Sequence, residues 1–395
     1  MRLDELDREK GKPRIVLGVT SFRSLKFLRG VGDYLASLGW DVHLVSSSQG
    51  GEGQSLNKNV TWHKINMSRE PSPAQDLKAL ISWMRLFLIL KPDVVSSGTP
   101  KAGLLGMLGA FATRIPKRTY HLRGLRLETE SGLKLRLLRF IEKLTCAAAT
   151  DVLADSPSLR DEAVRLGLVS PNKITTLGRG SSNGVDLNIF NPARKNSNTV
   201  RALRENLGLV PGVPVVGFVG RITRDKGVFE LAAASRMLHD RGVPHQLLVI
   251  GSTELKEGVA PWRQAGLTGN RSPVLVGHVE DIENYYSLMD ILALPTYREG
   301  MGNALLEAGA LGLPTVSTRA TGARDASVDG HTGIQVAARS HTELGAALEK
   351  LIESPQLRRT MGEAGVMFVH KYFDKENVLR QLAHYYSEGS SVKNR

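Results

Sequence analysis

Little in this chain speaks of export or of a membrane span. A single cysteine among 395 residues, Cys146, excludes a disulfide framework and fits a reducing compartment. It sits in "EKLTCAAAT", a setting for a small buried residue rather than a nucleophile. The opening stretch "MRLDELDREKGKPR" is charged and lacks the apolar run of a signal peptide. No segment reaches the roughly 18–20 uninterrupted apolar residues of a spanning helix. Together these absences predict a cytoplasmic protein, either free or peripheral on the inner face of the cell membrane. No strand is followed by Gly-x-Gly-x-x-Gly, and "GRGSSNG" (178–184) has the wrong spacing, which disfavours a dehydrogenase.

Basic residues, by contrast, are in excess. The formal net charge is +13, and residues 1–190 hold 28 Lys and Arg against 18 Asp and Glu. Between Arg114 and Lys143 nine cations face three acids. Such a patch suits an anionic membrane surface, a phosphorylated substrate or nucleic acid. Aromatic residues rarely interleave with it and no nucleic-acid-reading module is evident, so a nucleic-acid partner is not expected.

The chain is too long for one comfortable core, and two domains are expected. In the first half, strands at "RIVLGV" (14–19), "DVHLVS" (41–46) and "VTWHKI" (60–65) alternate with helices at 24–39 and 76–91, the second stopped by Pro92. "DVVSS", "KRTYHL" and "DVLAD" continue the alternation, which predicts a doubly wound parallel sheet over 1–190. The helix 76–91 is apolar almost all round in its second half. That pattern fits either packing between sheet and helices or a face dipping into lipid. Residues 191–210 are polar and charged and read as a linker with a short helix. The pattern restarts with "VPVVGFVG" (213–220), helix 226–242, "HQLLVIG", "PVLVGHV", "ILALPT" and "PTVST", a second Rossmann-like domain over 211–372. A C-terminal helix from 373 that crosses back to the first domain, and a frayed tail, complete the expectation.

Two stretches carry chemistry. In "GFVGRITRDKGVFEL" (217–231) a buried strand ends at Gly220, and Arg221 and Lys226 follow in the loop entering a helix. That loop lies at the ligand edge of a parallel sheet, where a guanidinium fork and an ammonium suit a diphosphate. In "YREGMGNALLEAGALGLP" (297–314) the strand before it delivers Glu299 to the same edge. Asn303 opens a helix, so the backbone N–H groups of Met301, Gly302, Asn303 and Ala304 are placed for an anion. Gly300 and Gly302 admit a close backbone approach. Glu299 is placed for sugar hydroxyls and Glu307 for the two hydroxyls of a ribose.

This combination, the Arg221/Lys226 pair followed by Glu299 and Glu307, resembles the retaining glycosyltransferases of family 4. "GHVEDIENYYSLMDILALPT" and "SSNGVDLNIF" support the likeness. The resemblance implies a GT-B architecture, two Rossmann-like domains facing across a cleft, and transfer from a nucleotide sugar, with UDP the expected nucleotide. It implies that Arg221 and Lys226 bind the diphosphate, Glu299 the donor sugar and Glu307 the ribose, with His278 and Val279 by the base. It also implies no metal and no resident cofactor, and the chain indeed contains no Asp-x-Asp. "SGTPKAGLLGMLGA" (97–110) and "YHLRGLRLETESGLKLRLLRFIEKLT" (120–145) are similar to enzymes extending sugars on undecaprenyl diphosphate, the bacillosaminyl-type N-acetylhexosaminyltransferases. A polyprenyl-diphosphate-linked saccharide is the implied acceptor, with Lys101, Arg123 and Asn183 on its side.

Two departures from the family pattern stand out. The loop after the first strand is "TSFRSLKF", without the diglycine that admits the acceptor in many members. Where many carry a His before Gly at the end of the fifth strand, "LRG" presents Arg123, with His121 two residues earlier. Which of these two approaches the donor stays open. No double-displacement nucleophile is visible, so a front-side reaction is expected. A soluble acceptor and a UDP-sugar epimerase are the rival readings.

Overall fold

The computed structural model describes residues 11–47, 59–68, 71–181, 183–255 and 260–388. The first ten residues and the expected frayed tail, from 389 on, lie outside these. The chain forms two compact units, residues 1–184 with 376–395, and residues 185–375.

Unit 1 is built on β1 (Arg14–Ser21), β2 (Asp41–Ser47), β3 (Val60–Lys64), β4 (Val94–Gly98), β5 (Lys117–Leu122), β6 (Asp151–Ala154) and β7 (Ile174–Thr175). All strands pair in parallel in the order β3-β2-β1-β4-β5-β6-β7. The helices are α1 (Arg29–Ser37), α2 (Pro73–Leu90), α3 (Pro100–Ala112), α4 (Gly132–Ala148) and α5 (Pro157–Arg165). Successive strand residues point to opposite faces, so a doubly covered sheet is apolar along its whole strands. Val16, Val95, Tyr120 and Val152 pack with α2, α3 and α4. Ile15, Leu17, Val42 and Leu153 pack on the other face with α1.

Helix α3 lies close to its neighbours because its inner face is glycine. A Cβ at Gly103 would meet the Tyr120 ring at 2.5 Å, and one at Gly106 the Ser97 hydroxyl at 2.6 Å. The expected helix 24–39 proves to be two pieces, a 3-10 turn over Phe22–Phe27 and then α1. The break falls at Leu28, and the glycines at 30 and 32 in the first turn of α1 lower the tendency of that helix to propagate back across it.

Unit 2 begins with α6 (Asn198–Asn206). The stretch 191–210, read as a linker with a short helix, does contain that helix, and it belongs to the folded unit: Ser197 caps α6 and Val200 is buried in the core. Next come β8 (Val215–Val219), α7 (Val228–Asp240), β9 (Gln246–Ile250), α8 (Ala260–Gln264), β10 (Val274–Gly277) and α9 (Ile282–Tyr286). The unit is completed by β11 (Ile291–Leu294), α10 (Asn303–Ala310), β12 (Thr315–Thr318), β13 (Gly333–Val336), α11 (His341–Glu353) and α12 (Pro355–Phe373). The six strands are parallel, in the order β10-β9-β8-β11-β12-β13. A last helix, α13 (Lys375–Ser387), returns to unit 1. Its Leu382, Ala383 and Tyr386 enter the α1-side core, and the Tyr386 hydroxyl bonds Ser96 Oγ on β4 at 2.9 Å.

One core group of unit 1 titrates near neutrality. Glu142, on the inner side of α4, accepts a 2.6 Å hydrogen bond from the buried Tyr120 hydroxyl. Burial pushes its carboxyl up to about 7, against the lowering effect of that bond. A raised acid favours the fold fully below the unfolded value of 4.5 and loses that contribution as pH rises through 7. Glu142→Gln keeps the acceptor oxygen and removes the charge. It should raise the melting temperature by several degrees at pH 8 and leave it unchanged near pH 4, read by scanning calorimetry at both values.

Candidate functional site

In unit 2, β8 and β11 are neighbours, yet the chain leaves β8 toward β9 and leaves β11 toward β12 on the opposite side. This is the topological switch point of the sheet, where the two carboxyl-end loops diverge and ligands of such sheets bind. The loop after β8 holds Gly220, Arg221, Thr223 and the 3-10 turn Arg224–Lys226. The loop after β11 holds Thr296 to Gly302 and enters α10.

The two loops are fastened to each other. The Tyr297 N–H donates to the Asp225 carbonyl at 2.8 Å, and the Thr296 hydroxyl reaches the same oxygen at 3.2 Å. Arg298 Nη2 pairs with Asp225 Oδ2 at 2.9 Å, and the Lys226 ammonium pairs with Glu299 Oε1. An acid and a base adjacent on one loop thus meet a base and an acid adjacent on the other. Gly227 makes the approach possible. Its φ is 73°, and a Cβ there would lie 1.9 Å from the Pro295 carbonyl oxygen. A third loop closes on the second: Glu299 N–H donates to the Thr321 carbonyl at 2.8 Å.

The electrostatics follow from this fastening. Burial alone would raise the Asp225 carboxyl, but the Thr223 hydrogen bond and the charges of Arg298, Lys226 and Arg221 outweigh it and hold the carboxyl below its ordinary range. Both cations singled out from the sequence therefore act on one carboxylate. Lys226 and Glu299 are each only 15% exposed, whereas Arg221 is 43% exposed and pairs with Glu254 at 2.8 Å. Glu307, one turn into α10, accepts a 2.8 Å hydrogen bond from the buried Tyr286 hydroxyl, which fixes one of its oxygens.

The remaining predicted residues of this unit lie nearby in the topology. Gly220 donates to the Ile250 carbonyl at 3.0 Å, and Gly251 to Gly277 at 2.7 Å, so the loops after β8, β9 and β10 are laced in sequence. His278 and Val279 follow β10 directly, at the same carboxyl edge. Met301 is buried and Asn303 begins α10, with Ala304 next. Gly302 has a φ of 37°, and the space a Cβ would take is filled by Leu305 and Ala326. A side chain at this position would therefore be strained and crowded. Gly300 is held near Gly322, whose Cβ would fall 2.7 Å from the Gly300 carbonyl oxygen.

In unit 1, His121 and Arg123 stand at the carboxyl end of β5. Arg123 Nη2 donates to His121 Nδ1 at 3.1 Å, so the ring proton is on Nε2, which donates to Asp155 Oδ1 at 2.7 Å. Burial and then the Arg123 charge lower the His121 pKa, and the ring is neutral with both nitrogens engaged. The Arg123 guanidinium is nearly buried, lies 5.5 Å from the Phe27 ring, and its Nε and Nη1 make no hydrogen bond among the described residues. Lys101 is turned inward, paired with Asp76 at 2.8 Å and near Ser68 Oγ. Asn183 lies in the loop preceding the boundary of the two units.

Sequence reasoning did not find Asp225, Arg298 or Tyr286. The first two adjoin Lys226 and Glu299 inside the same motifs, and a search for opposite charges on paired loops would have found them.

Comparison with known proteins bears on the family and the fold. Residues 200–366 match the family model "Glycosyl transferases group 1", and residues 26–180 match "Glycosyl transferase 4-like domain". The chain is 38% identical over 373 residues to the capsular polysaccharide biosynthesis glycosyltransferase CapM of Staphylococcus aureus, covering 93% of this chain and 95% of the relative. It is 26% identical over 287 residues to the UDP-Gal:alpha-D-GlcNAc-diphosphoundecaprenol alpha-1,3-galactosyltransferase of Escherichia coli, 72% of each. Its fold is similar to that of sucrose-phosphate synthase from Thermosynechococcus elongatus, with a TM-score of 0.79, 19% identity, and 95% of this chain and 99% of that one covered. With two parallel-sheet Rossmann-like domains of the GT-B type and a near full-length relative in the group, the chain belongs to the group 1 glycosyl transferases and is an enzyme that transfers sugars.

Proposed function

We propose that the enzyme takes a hexose or N-acetylhexosamine from a nucleotide sugar, UDP-linked, and adds it to a saccharide carried on polyprenyl diphosphate at the inner face of the cell membrane. Transfer proceeds with retention at the anomeric carbon and needs neither a metal nor a resident cofactor. The observation that carries this reading is the Lys226–Glu299 contact at the β8/β11 switch point, which brings together the lysine that the family resemblance gives to the diphosphate and the glutamate that it gives to the sugar. The capsular and diphosphoundecaprenol-linked relatives support the acceptor class, and the second supports UDP.

The chemistry follows from the charges. The bond from the anomeric carbon to the diphosphate breaks as the acceptor oxygen bonds that carbon on the same face, and the departing phosphate oxygen takes the acceptor's proton. Arg221, exposed beside Glu254, and Lys226 stabilise the charge developing on the diphosphate. Glu299 holds sugar hydroxyls and shares Lys226 with the phosphate. Glu307, oriented by Tyr286, accepts from the ribose. In unit 1, Arg123 is the phosphate-binding candidate and His121 its support, because the imidazole nitrogens are already engaged. Lys101 stays with Asp76 and has no part in this reading.

Purified enzyme incubated with UDP-sugars and an undecaprenyl-diphosphate-linked saccharide should release UDP and form a product whose anomeric coupling matches the donor. Lys226→Ala should lower kcat by about 10²–10³-fold without loss of fold. Near wild-type turnover in that variant removes the diphosphate clamp, and an inverted product removes the front-side reaction. Glu307→Gln should raise KM for the donor while leaving kcat nearly unchanged, as expected for uniform binding of the ribose. A kcat loss equal to that of Lys226→Ala would contradict this role.

A further inference from the structure

Among the described residues, fourteen large hydrophobic side chains are exposed, and nine of them lie on α2, α3 and α4, consecutive helices that pack side by side on one face of the unit 1 sheet. On α4 they form a line. Leu133 is 82% exposed and Phe140 65%, and with Leu137 and Leu144 they recur at intervals of four, three and four residues. At 3.6 residues per turn this places them on a single stripe about 16 Å long. The core-facing residues of the same helix, Leu135, Leu138, Thr145 and Cys146, lie on the opposite side. The stripe therefore points straight outward.

Cations border it. Lys134 falls on one flank and Arg136 and Lys143 on the other, all exposed. The one acid of α4, Glu142, is turned inward onto the Tyr120 hydroxyl, so the outer surface of the helix carries no negative charge of its own. Glu130, just ahead of the helix, is paired with Lys134 at 2.7 Å. Helix α2 repeats the design more weakly: Leu77, Ile81 and Leu88 are exposed in line, with exposed Lys78 and Arg85 beside them.

An apolar ridge flanked by Arg136 and Lys143 on one side and Lys134 with its Glu130 partner on the other, on a helix with no outward acid, is complementary to a surface that is apolar inside and anionic at its rim. Helices of this kind lie in the plane of a bilayer interface, apolar side chains below the headgroups and long cationic side chains reaching back to them. We propose that α4, assisted by α2, is the surface by which the protein docks on an anionic lipid bilayer, with Leu133, Leu137 and Phe140 entering it. The proposal rests on the reading of a lipid-linked acceptor, since it says which face the enzyme turns toward the membrane that holds that acceptor.

The test uses the full chain with vesicles of phosphatidylcholine, alone or mixed with phosphatidylglycerol. Wild-type protein should co-sediment with the mixed vesicles and much less with phosphatidylcholine alone, and added salt should weaken the binding. The triple variant Leu133→Ser, Leu137→Ser, Phe140→Ser should bind at least about tenfold more weakly, and so should Lys134→Gln, Arg136→Gln, Lys143→Gln. Leu137→Cys labelled with an environment-sensitive dye should shift to the blue on the mixed vesicles, native Cys146 being buried. Both multiple variants should keep the melting temperature and wild-type UDP release with a short-chain, water-soluble acceptor diphosphate, so failure of the sugar-transfer reading is seen separately. Undiminished vesicle binding by the apolar variant overturns the proposal. So does a stable dimer in sedimentation equilibrium that the apolar variant abolishes while vesicle binding is absent.

Discussion

Two dipeptides of opposite charge order, Asp225-Lys226 and Arg298-Glu299, hold the loops at the centre of the second sheet together. The arrangement depends on the Asp225 carbonyl, which accepts from both Tyr297 and Thr296, and on a glycine at 227 that lets the backbones touch. Partly exposed ion pairs contribute modestly to stability. What these pairs fix is position: a lysine ammonium and a glutamate carboxylate that would otherwise wander at the surface are presented at the switch point of the sheet. Glu307 and Arg221 take their places relative to that point, one on the helix that the second loop enters and the other on the strand end that the first loop leaves.

The pairing also explains why neither residue is merely a solvated charge. Lys226 has a carboxylate partner and Glu299 an ammonium, each about 15% exposed. On the proposed function, a diphosphate-linked sugar would offer the lysine another anion and the acid hydroxyl donors, so that neither buried charge need be stranded when the pair opens.

Much of the fold was legible in the sequence because apolar strands and amphipathic helices alternate without interruption, and both sheets fall where that alternation placed them. The short helix in the polar stretch 191–210 was legible, but its membership in the second unit was not, because composition reports the solvent side of a helix and here the inward Val200 does the anchoring. The apolar second half of α2 was ambiguous for a related reason. Trp83, Leu86, Phe87 and Leu90 are buried while Leu88 and Ile89 are exposed, so the packing reading holds for one side of the helix and composition alone could not divide the apolar run between core and surface. The placement of Arg221, Lys226, Glu299 and Glu307 at the carboxyl edge of the sheet was legible because each motif is local. Their partnerships were hidden where the partner is remote: Asp225 and Arg298 stand 73 positions apart. Likewise only three dimensions show that Asp76 occupies Lys101 and that Asp155 and Arg123 occupy His121.

Helix α13 has a consequence for the order of assembly. The middle unit is continuous in the chain, whereas the first is not: Tyr386, which is buried and bonded to Ser96, arrives 290 residues after its partner. During synthesis the α1-side layer of the amino-terminal sheet must therefore wait, incompletely covered, while everything downstream is made, and the later segment can reach its final form first. The last portion to emerge closes the first portion translated, so intact polypeptide is a precondition for a finished amino-terminal domain, and a nascent chain stalled short of α13 would expose strand-side hydrophobics that chaperones recognise.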